Sequence, residues 1–349
     1  GRRARRRRRV RRLAGPSPVF RFGVIADVQY ADREDAMNFS GTRLRRYRQA
    51  RRLWERAVDW WREEQVDFIA QLGDFVDGSA RDSPGGGLGA LADLLAPLEG
   101  WRAPPMLNLL GNHELYNFTR ASLEGGLAVP GAAAPFRVSA PPGLQGLDAA
   151  GLGRRAHYSF RPRAGWRVCV LDPYEVSLVA RGGGRPGVEL GARDLDAGAL
   201  ALCQARNPND ITREDFAKGL PHGPARRWVP LNGGMGAGQL AWLRGALRAA
   251  AAAGERTLLL SHVVLHPQAT PQGNGLTLLW DYDELSDVLR DAPRPPVAAF
   301  CGHAHVGASA VDERTGTHHV TFATPLEVAP GGDACAIVEA FADGSLRVR

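Results

Sequence analysis

Short apolar runs recur along the chain. Each is closed by a polar or glycine-rich stop, and segments of helical periodicity lie between several of them. Val19–Ala26 (VFRFGVIA) is apolar, partly β-branched and stops at Asp27, which is the pattern of a buried strand. From Arg43 to Glu64, the residues Leu44, Tyr47, Trp54, Val58 and Trp61 fall at near-helical spacing and predict an amphipathic helix. Val66–Leu72 predicts a second strand, followed by Gly73–Asp74. Leu88–Leu98 predicts a helix behind a Gly85–Gly87 loop, and Pro105–Leu110 a third strand that runs into Gly111–Asn112–His113–Glu114. Arg167–Leu171 predicts a fourth strand, ending at Asp172. Residues 174–235 are rich in Gly, Pro, Arg and Asp and predict a long irregular insert, a feature that inside a domain is usually functional or disordered. Beyond it, Gly238–Ala253 predicts a helix, Thr257–Leu260 a strand ending at Ser261–His262, and Tyr282–Arg290 a helix. Val297–Cys301 predicts a strand ending at Gly302–His303–Ala304–His305. His318–Phe322 and Ala334–Val348 alternate as antiparallel strands do.

This order of strand and helix predicts an α/β fold. A polar motif follows one apolar strand after another, and in α/β sheets ligands bind at the carboxyl ends of the strands. Five strand ends therefore deliver their side chains to one place. We divide the chain into a basic tail, residues 1–17, expected to be disordered, and a single domain, residues 18–349, with the insert near 174–235.

Composition narrows the classes. With 349 residues, 44% apolar and 23% charged, the chain has globular proportions and can bury a large core. No apolar run approaches the ~20 residues of a membrane-spanning helix. The cysteines Cys169, Cys203, Cys301 and Cys335 form no C-x-x-C pair, so neither a disulfide framework nor a thiolate zinc site is indicated. The net charge of +7 invites a nucleic-acid reading, but nine arginines crowd residues 2–12, and removing them takes the remainder from +7 to −2. Such a block repels itself; it could bind an acidic surface or be the remnant of an Arg-rich transit peptide. Lys218 is the single lysine beside all these arginines, a coding bias that strips the scattered arginines of individual meaning.

The strand ends supply Asp27 and Gln29, Asp74 and Asp77, Asn112 and His113, His262, and His303 and His305. These are carboxylate, amide and imidazole donors without a thiolate, a set that suits divalent Mn, Fe, Zn or Mg. They are too many for one ion. A pair of ions sharing a bridging carboxylate uses them, and such pairs, ~3.5–4 Å apart, clamp the attacking and leaving oxygens of a phosphoryl displacement. Singly, each residue has a plain structural reading: Asp27 a turn cap, GDxxDG a turn, His262 an interior histidine. Clustered on convergent strand ends, they have few structural uses.

In order, D-x-Q (Asp27–Gln29), GDFVDG (Gly73–Gly78), GNHE (Gly111–Glu114), SH (Ser261–His262) and GHAH (Gly302–His305) resemble the calcineurin-like metallophosphoesterases over residues 20–306. Gln29 stands where most of that superfamily has histidine. The D-V-Q form, with Tyr30–Asp32, Asn38–Phe39, Asn232–Gly234, Gln239–Leu243 and His262–Pro267, is similar to the manganese-dependent ADP-ribose/CDP-alcohol diphosphatases. The resemblance implies a four-layer α/β architecture, a β-sandwich flanked by helices, with a di-metal site at the strand C-terminal ends. It implies one metal site of Asp27, Gln29, Asp74 and His305 and a second of Asp74, Asn112, His262 and His303, bridged by Asp74. A neutral amide donor at Gln29 favours Mn²⁺ over Zn²⁺ on ligand softness.

The reaction that follows is hydrolysis of a pyrophosphate bond in nucleoside diphosphate derivatives such as ADP-ribose or CDP-choline, by a hydroxide activated between the ions. His113 is the candidate general acid. Asp77 is expected to accept a hydrogen bond from His113 and fix its tautomer. Phe39 and Trp280 are candidate base or ribose contacts, against the ordinary alternative that aromatics pack. The rival readings are another phosphoesterase of the superfamily, acting on a cyclic nucleotide or a phospholipid, and a nucleic-acid-binding protein working through the arginine tail. We expect a small nucleotide-type substrate, no nucleic-acid partner, no membrane span and a monomer. The expected compartment is the cytoplasm, or an organelle if residues 1–15 are a transit-peptide remnant.

Overall fold

The computed structural model describes residues 16–38, 40–148, 155–179, 196–211, 213 and 215–349. The expectation of a disordered tail, for residues 1–15, and that of a substrate contact at Phe39 lie outside them. In chain order the strands are β1 (Phe20–Ile25), β2 (Ala36–Met37), β3 (Leu44–Arg45), β4 (Phe68–Gln71), β5 (Met106–Asn108), β6 (Tyr158–Phe160), β7 (Trp166–Val170), β8 (Val176–Ser177), β9 (Gly233–Gly234) and β10 (Arg256–Leu260). They continue as β11 (Ala298–Cys301), β12 (Ala308–Val311), β13 (His318–Thr321), β14 (Cys335–Ala340) and β15 (Leu346–Val348). The α-helices are α1 (Tyr47–Glu64), α2 (Gly86–Leu95), α3 (Asn112–Asn117), α4 (Arg120–Gly125), α5 (Ala197–Gln204), α6 (Gly236–Ala252) and α7 (Tyr282–Arg290).

Two sheets form the centre. One has the order β15-β14-β1-β4-β5, with β1, β4 and β5 parallel and β14 and β15 antiparallel at the edge. The other has the order β12-β13-β11-β10-β7-β6, with β7, β10, β11 and β13 parallel. The two-residue period of a strand sends alternate side chains to opposite faces. Phe22 and Val24 of β1 therefore enter one apolar cluster with Phe68, Trp166, Val168, Leu258, Leu260 and Phe300, residues of both sheets. The Phe22 and Phe68 rings stack at 4.6 Å, and Phe300 meets Phe22 edge-on at 6.1 Å. Ile25 and Ile69 point the other way and pack with Trp54, Val58 and Trp61 of α1; Leu259 and Ala299 do the same with Leu243, Leu247, Leu285 and Val288 of α6 and α7. The result is helix, sheet, sheet, helix, as the sequence predicts.

Four local expectations are revised. The helix predicted from Arg43 begins only at Tyr47, because Leu44–Arg45 pairs with Ala36–Met37 as a small hairpin. Gly86 and Gly87 open α2 instead of lying in a loop. β13 pairs antiparallel only with β12; beside β11 it is parallel, a direction that side-chain alternation does not encode. The described part of the 174–235 insert is ordered around its own small core of Leu178, Ala199, Cys203, Ile211, Trp228 and Trp280. Its helix α5 is capped by Asp196 Oδ1, which accepts from the Ala199 N–H at 2.8 Å. Among the described residues, no helix is long and apolar enough to cross a membrane.

Candidate metal centre

The parallel strands of the two sheets end on one side of the sandwich, and their following residues are bonded across it. The His303 N–H donates to Asp27 Oδ2 at 2.8 Å, the His113 N–H to Asp74 Oδ1 at 2.8 Å, and the Gln29 N–H to the Asp74 carbonyl at 2.9 Å. A Cβ at Gly111 would collide with Asp74 Oδ1, and one at Gly302 with Asp27 Oδ2, so these carboxylates seat directly on bare backbone. Among the described residues, positive φ at non-glycine positions occurs at Asp27, Gln29, Gln65, Asp74, Gln272, His303 and His305. Five of these are predicted ligands. A left-handed backbone is unfavourable for Gln and His in particular, and such strain persists where surrounding structure over-determines it.

The structure brings several of the expected donors close together. In the first expected group, the Gln29 amide nitrogen lies 2.8 Å from Asp74 Oδ2 and 3.1 Å from His305 Nε2, and His305 Nε2 lies 3.6 Å from Asp27 Oδ1. In the second, His262 Nε2 lies 3.4 Å from Asp74 Oδ2. Asp74, His262 and His303 each offer a ligand atom, all within 4.8 Å of one another. Asn112 sits at the head of α3 beside His113, where its Oδ1 accepts from Tyr174 Oη at 3.0 Å. Asp27 Oδ1, Gln29 Oε1 and His262 Nε2 are buried without a hydrogen-bond partner, a costly arrangement that a cation relieves. The residues therefore fit two divalent ions, with Asp74 common to the two groups.

The electrostatics agree. Burial alone would raise the Asp74 carboxyl, but His262, His113 and His303 around it hold it well below the usual carboxylate range. Burial would lower His262, yet Asp74 outweighs it and the imidazole is pushed up to about 9. His303 is driven well below its ordinary value, by burial first and then by the His262 charge. Glu114, fully buried, is raised to about 7 by burial and then by Asp74. It spends its oxygens on backbone: Oε1 accepts from Phe75 N–H at 2.6 Å, and Oε2 from the Asp74 and Gly111 N–H groups at 2.8 and 2.9 Å.

His113 Nδ1 has two neighbours, the Gly78 backbone and the Asp77 carboxylate. His113 Nδ1 accepts from the Gly78 N–H at 2.8 Å. A ring nitrogen that accepts cannot also donate, so in the neutral ring this contact leaves the proton on Nε2; in the imidazolium Nδ1 is protonated too and Asp77 is the acceptor beside it. Asp77 Oδ1 is occupied by Ser79 N–H and Oγ–H at 2.8 and 2.6 Å, and its Oδ2 lies 3.3 Å from His113 Nδ1. Asp77 thus acts on His113 through charge. Burial pulls His113 down, and Asp74 and Asp77 bring it above its ordinary value.

Several site residues carry no motif signal. Arg45 of β3 lies among Asp77, Tyr47 and Glu327, whose charges, against burial, raise its guanidinium above the ordinary range. It was hidden by the arginine bias. Glu327 Oε1 is 2.8 Å from His305 Nδ1. Asn232 Oδ1 is 2.8 Å from His303 Nε2, so the Asn232–Gly234 block contributes directly to the site. Tyr174, held through Arg120 and Asp172, reaches Asn112. The expectation at Trp280 is corrected: it is buried in the insert's core, its ring 5.6 Å from that of Trp228 and its indole N–H donating to the Val229 carbonyl at 3.3 Å. His266 stacks on His319 with ring centroids 4.8 Å apart.

Comparison with known proteins agrees with this geometry. The family model for calcineurin-like phosphoesterases matches residues 20–307. A manganese-dependent ADP-ribose/CDP-alcohol diphosphatase of Oryza sativa subsp. japonica is 33% identical over 333 residues, 95% of this chain and 91% of that protein. The protein of the same name from Arabidopsis thaliana is 33% identical, over 91% of this chain and 90% of its own. A crystal structure of a dimetal phosphatase from Danio rerio superposes with a TM-score of 0.76 at 31% identity, covering 93% of this chain and 94% of that one. Sandwich, strand-end ligands and sequence relatives lead to one assignment: this chain belongs to the calcineurin-like phosphoesterase family.

Proposed function

We propose that this protein hydrolyses the pyrophosphate bond of nucleoside diphosphate derivatives of the ADP-ribose and CDP-alcohol kind, with two manganese ions. The observation that carries the reading is the position of Asp74, whose Oδ2 is within 2.8 Å of the Gln29 amide on one side and 3.4 Å of His262 Nε2 on the other. Its names for metal and substrate come from relatives that share about a third of their residues over nine-tenths of their length.

Asp27, Gln29, Asp74 and His305 would hold one ion, and Asp74, Asn112, His262 and His303 the other. When bound, such ions neutralise phosphoryl oxygens and lower the pKa of water toward ~7. The chain's own groups do the rest. The water oxygen joins one phosphorus, the bond between that same phosphorus and the bridging oxygen breaks, and the bridging oxygen departs with the second phosphate. The departing phosphate oxygen needs a proton, which His113 can deliver from Nε2 when the ring is protonated; Nδ1 then keeps its own proton, with Asp77 Oδ2 3.3 Å away to accept its hydrogen bond. Asp77 supports the charge of the imidazolium before transfer. A diphosphate brings a second phosphate, and Arg45, close to Asp77 and His113, presents a fixed cation for it.

The test is a hydrolysis panel with added Mn²⁺, Mg²⁺ or Zn²⁺ against ADP-ribose, CDP-choline, a cyclic nucleotide and p-nitrophenyl phosphate. Preferential manganese-dependent cleavage of the two diphosphates is expected. Turnover confined to the phosphomonoester or the cyclic nucleotide overturns the proposal in favour of another phosphoesterase specificity.

A further inference from the structure

The three histidines of the centre are not backed alike. His262 Nδ1 is 2.8 Å from the Leu72 carbonyl, and His303 Nε2 is 2.8 Å from the Asn232 amide oxygen; both acceptors are neutral. His305 Nδ1 instead faces a carboxylate, Glu327 Oε1, at 2.8 Å. A carboxylate behind a metal-facing imidazole fixes its orientation and raises the electron density of the other nitrogen. That other nitrogen, His305 Nε2, is the one near Gln29 and Asp27. It belongs to the ligand group in which a neutral amide replaces the usual histidine.

Glu327 has a second set of partners. Its side chain is only 4% exposed, yet it takes two arginines of the β2–β3 hairpin: Arg45 Nε lies 3.4 Å from the same Oε1, and Arg43 Nη1 lies 2.9 Å from Oε2. The segment carrying it is tied down at several points. Leu326 O accepts from Arg46 N–H at 2.7 Å, and the Thr324 N–H donates to His305 O at 3.2 Å. Thr324 Oγ1 donates to the Asp27 carbonyl at 2.5 Å. One buried carboxylate thus stands between a predicted metal ligand and the arginine that faces the reacting centre.

We propose that Glu327 is a positioning residue that charges and orients His305 for the ion held with Asp27, Gln29 and Asp74, and that the same carboxylate ties that ion site to the placement of Arg45. The inference rests on the di-metal reading above. Removing the charge weakens one ion and leaves the other, because only His305 is backed by Glu327. It also frees Arg45, so substrate affinity falls even when the metals are saturated.

The experiment is a titration of the metal-stripped full chain with Mn²⁺ alone, followed by calorimetry and by the electron paramagnetic resonance signal of free Mn²⁺. Wild type is expected to take up two ions. Glu327→Gln keeps the shape and loses the charge; one of its two ions is expected to weaken by about 10–100-fold, the usual cost of such a support, with the other unchanged. At saturating Mn²⁺ its KM for ADP-ribose is expected to rise more than its kcat falls. Two ions bound to Glu327→Gln as in wild type overturn the proposal, as does an equal loss at the two sites, which marks a merely structural role. Should that variant not fold, Glu327→Asp, which keeps the charge one methylene further back, replaces it: selective weakening of one ion supports the proposal and wild-type affinities for the two ions refute it. A wild type that takes up fewer than two ions contradicts the di-metal reading itself, a failure separate from that of Glu327.

Discussion

His303 donates its backbone N–H to Asp27 Oδ2 at 2.8 Å, across the seam where the C-terminal ends of the two sheets meet. Asp27 follows a strand of one sheet and His303 a strand of the other, and both hold left-handed backbone. The bond places donors that lie 276 residues apart in the chain around one centre. Its rigidity explains why single substitutions there should be informative.

Asp74 is shared by the two ligand groups, so its loss should be felt in both. Asp74→Ala is expected to abolish hydrolysis and to lower the metal content of the isolated protein at the two sites together, read by elemental analysis and by Mn²⁺ titration. A variant that retains one ion at wild-type affinity shows that Asp74 serves a single site.

His113 touches no ligand position with its Nε2, which is 3.9 Å from Asp74 Oδ2. His113→Ala should therefore keep both metals and lose about 10²–10⁴-fold in turnover, the range of proton-transfer help. Loss of metal together with activity assigns His113 to coordination instead.

On this proposal Arg45, beside Asp77 and His113, holds the second phosphate of the substrate. Arg45→Gln should reduce kcat/KM for ADP-ribose by about 10²-fold, the order of a charge-assisted hydrogen bond to phosphate, and affect p-nitrophenyl phosphate much less. An equal fall on the two substrates removes the second-phosphate role.

His319 supplies a stability test away from the metals. It is 2% exposed, neither ring nitrogen has a hydrogen-bond partner, and burial, then the His266 charge, push it down to about 3 from an ordinary 6.5. The folded protein keeps this ring neutral, whereas the unfolded chain takes up a proton below pH 6.5. Its contribution is intact above that value and is lost as pH falls from 6.5 toward 3, by about 2 kcal/mol at pH 5. His319→Phe should flatten the fall in Tm between pH 7 and pH 5, measured by calorimetry on the metal-free protein. A wild-type slope in the variant assigns the acid sensitivity elsewhere.

Every placed site residue lies beyond the arginine run. Deleting residues 1–15 should accordingly leave turnover of ADP-ribose unchanged, and a loss of turnover on deletion favours the nucleic-acid reading.

What could be read from the chain follows the reach of local physics. Asp27, Asp74, Asn112, His262, His303 and His305 were legible because each stands just after an apolar strand, and the parallel order of strands implies that such ends converge. Arg45 was not, since its role depends on a hairpin between Ala36–Met37 and Leu44–Arg45 that helical periodicity masks. Glu327 was not, because nothing near it in sequence marks a residue that meets His305 only in space. The Gly78 contact to His113 Nδ1 was not legible either, because a backbone N–H has no letter of its own.

By itself, then, the sequence determined the alternation of strand and helix and the kinds of donor at the strand ends. Only the tertiary structure decided which histidine is backed by a carboxylate, and that Trp280 packs in the insert. The reason is range. Periodicity and turn chemistry act over a few residues, whereas hydrogen bonds and charge in a low-dielectric interior depend on distances set by the packing of two sheets.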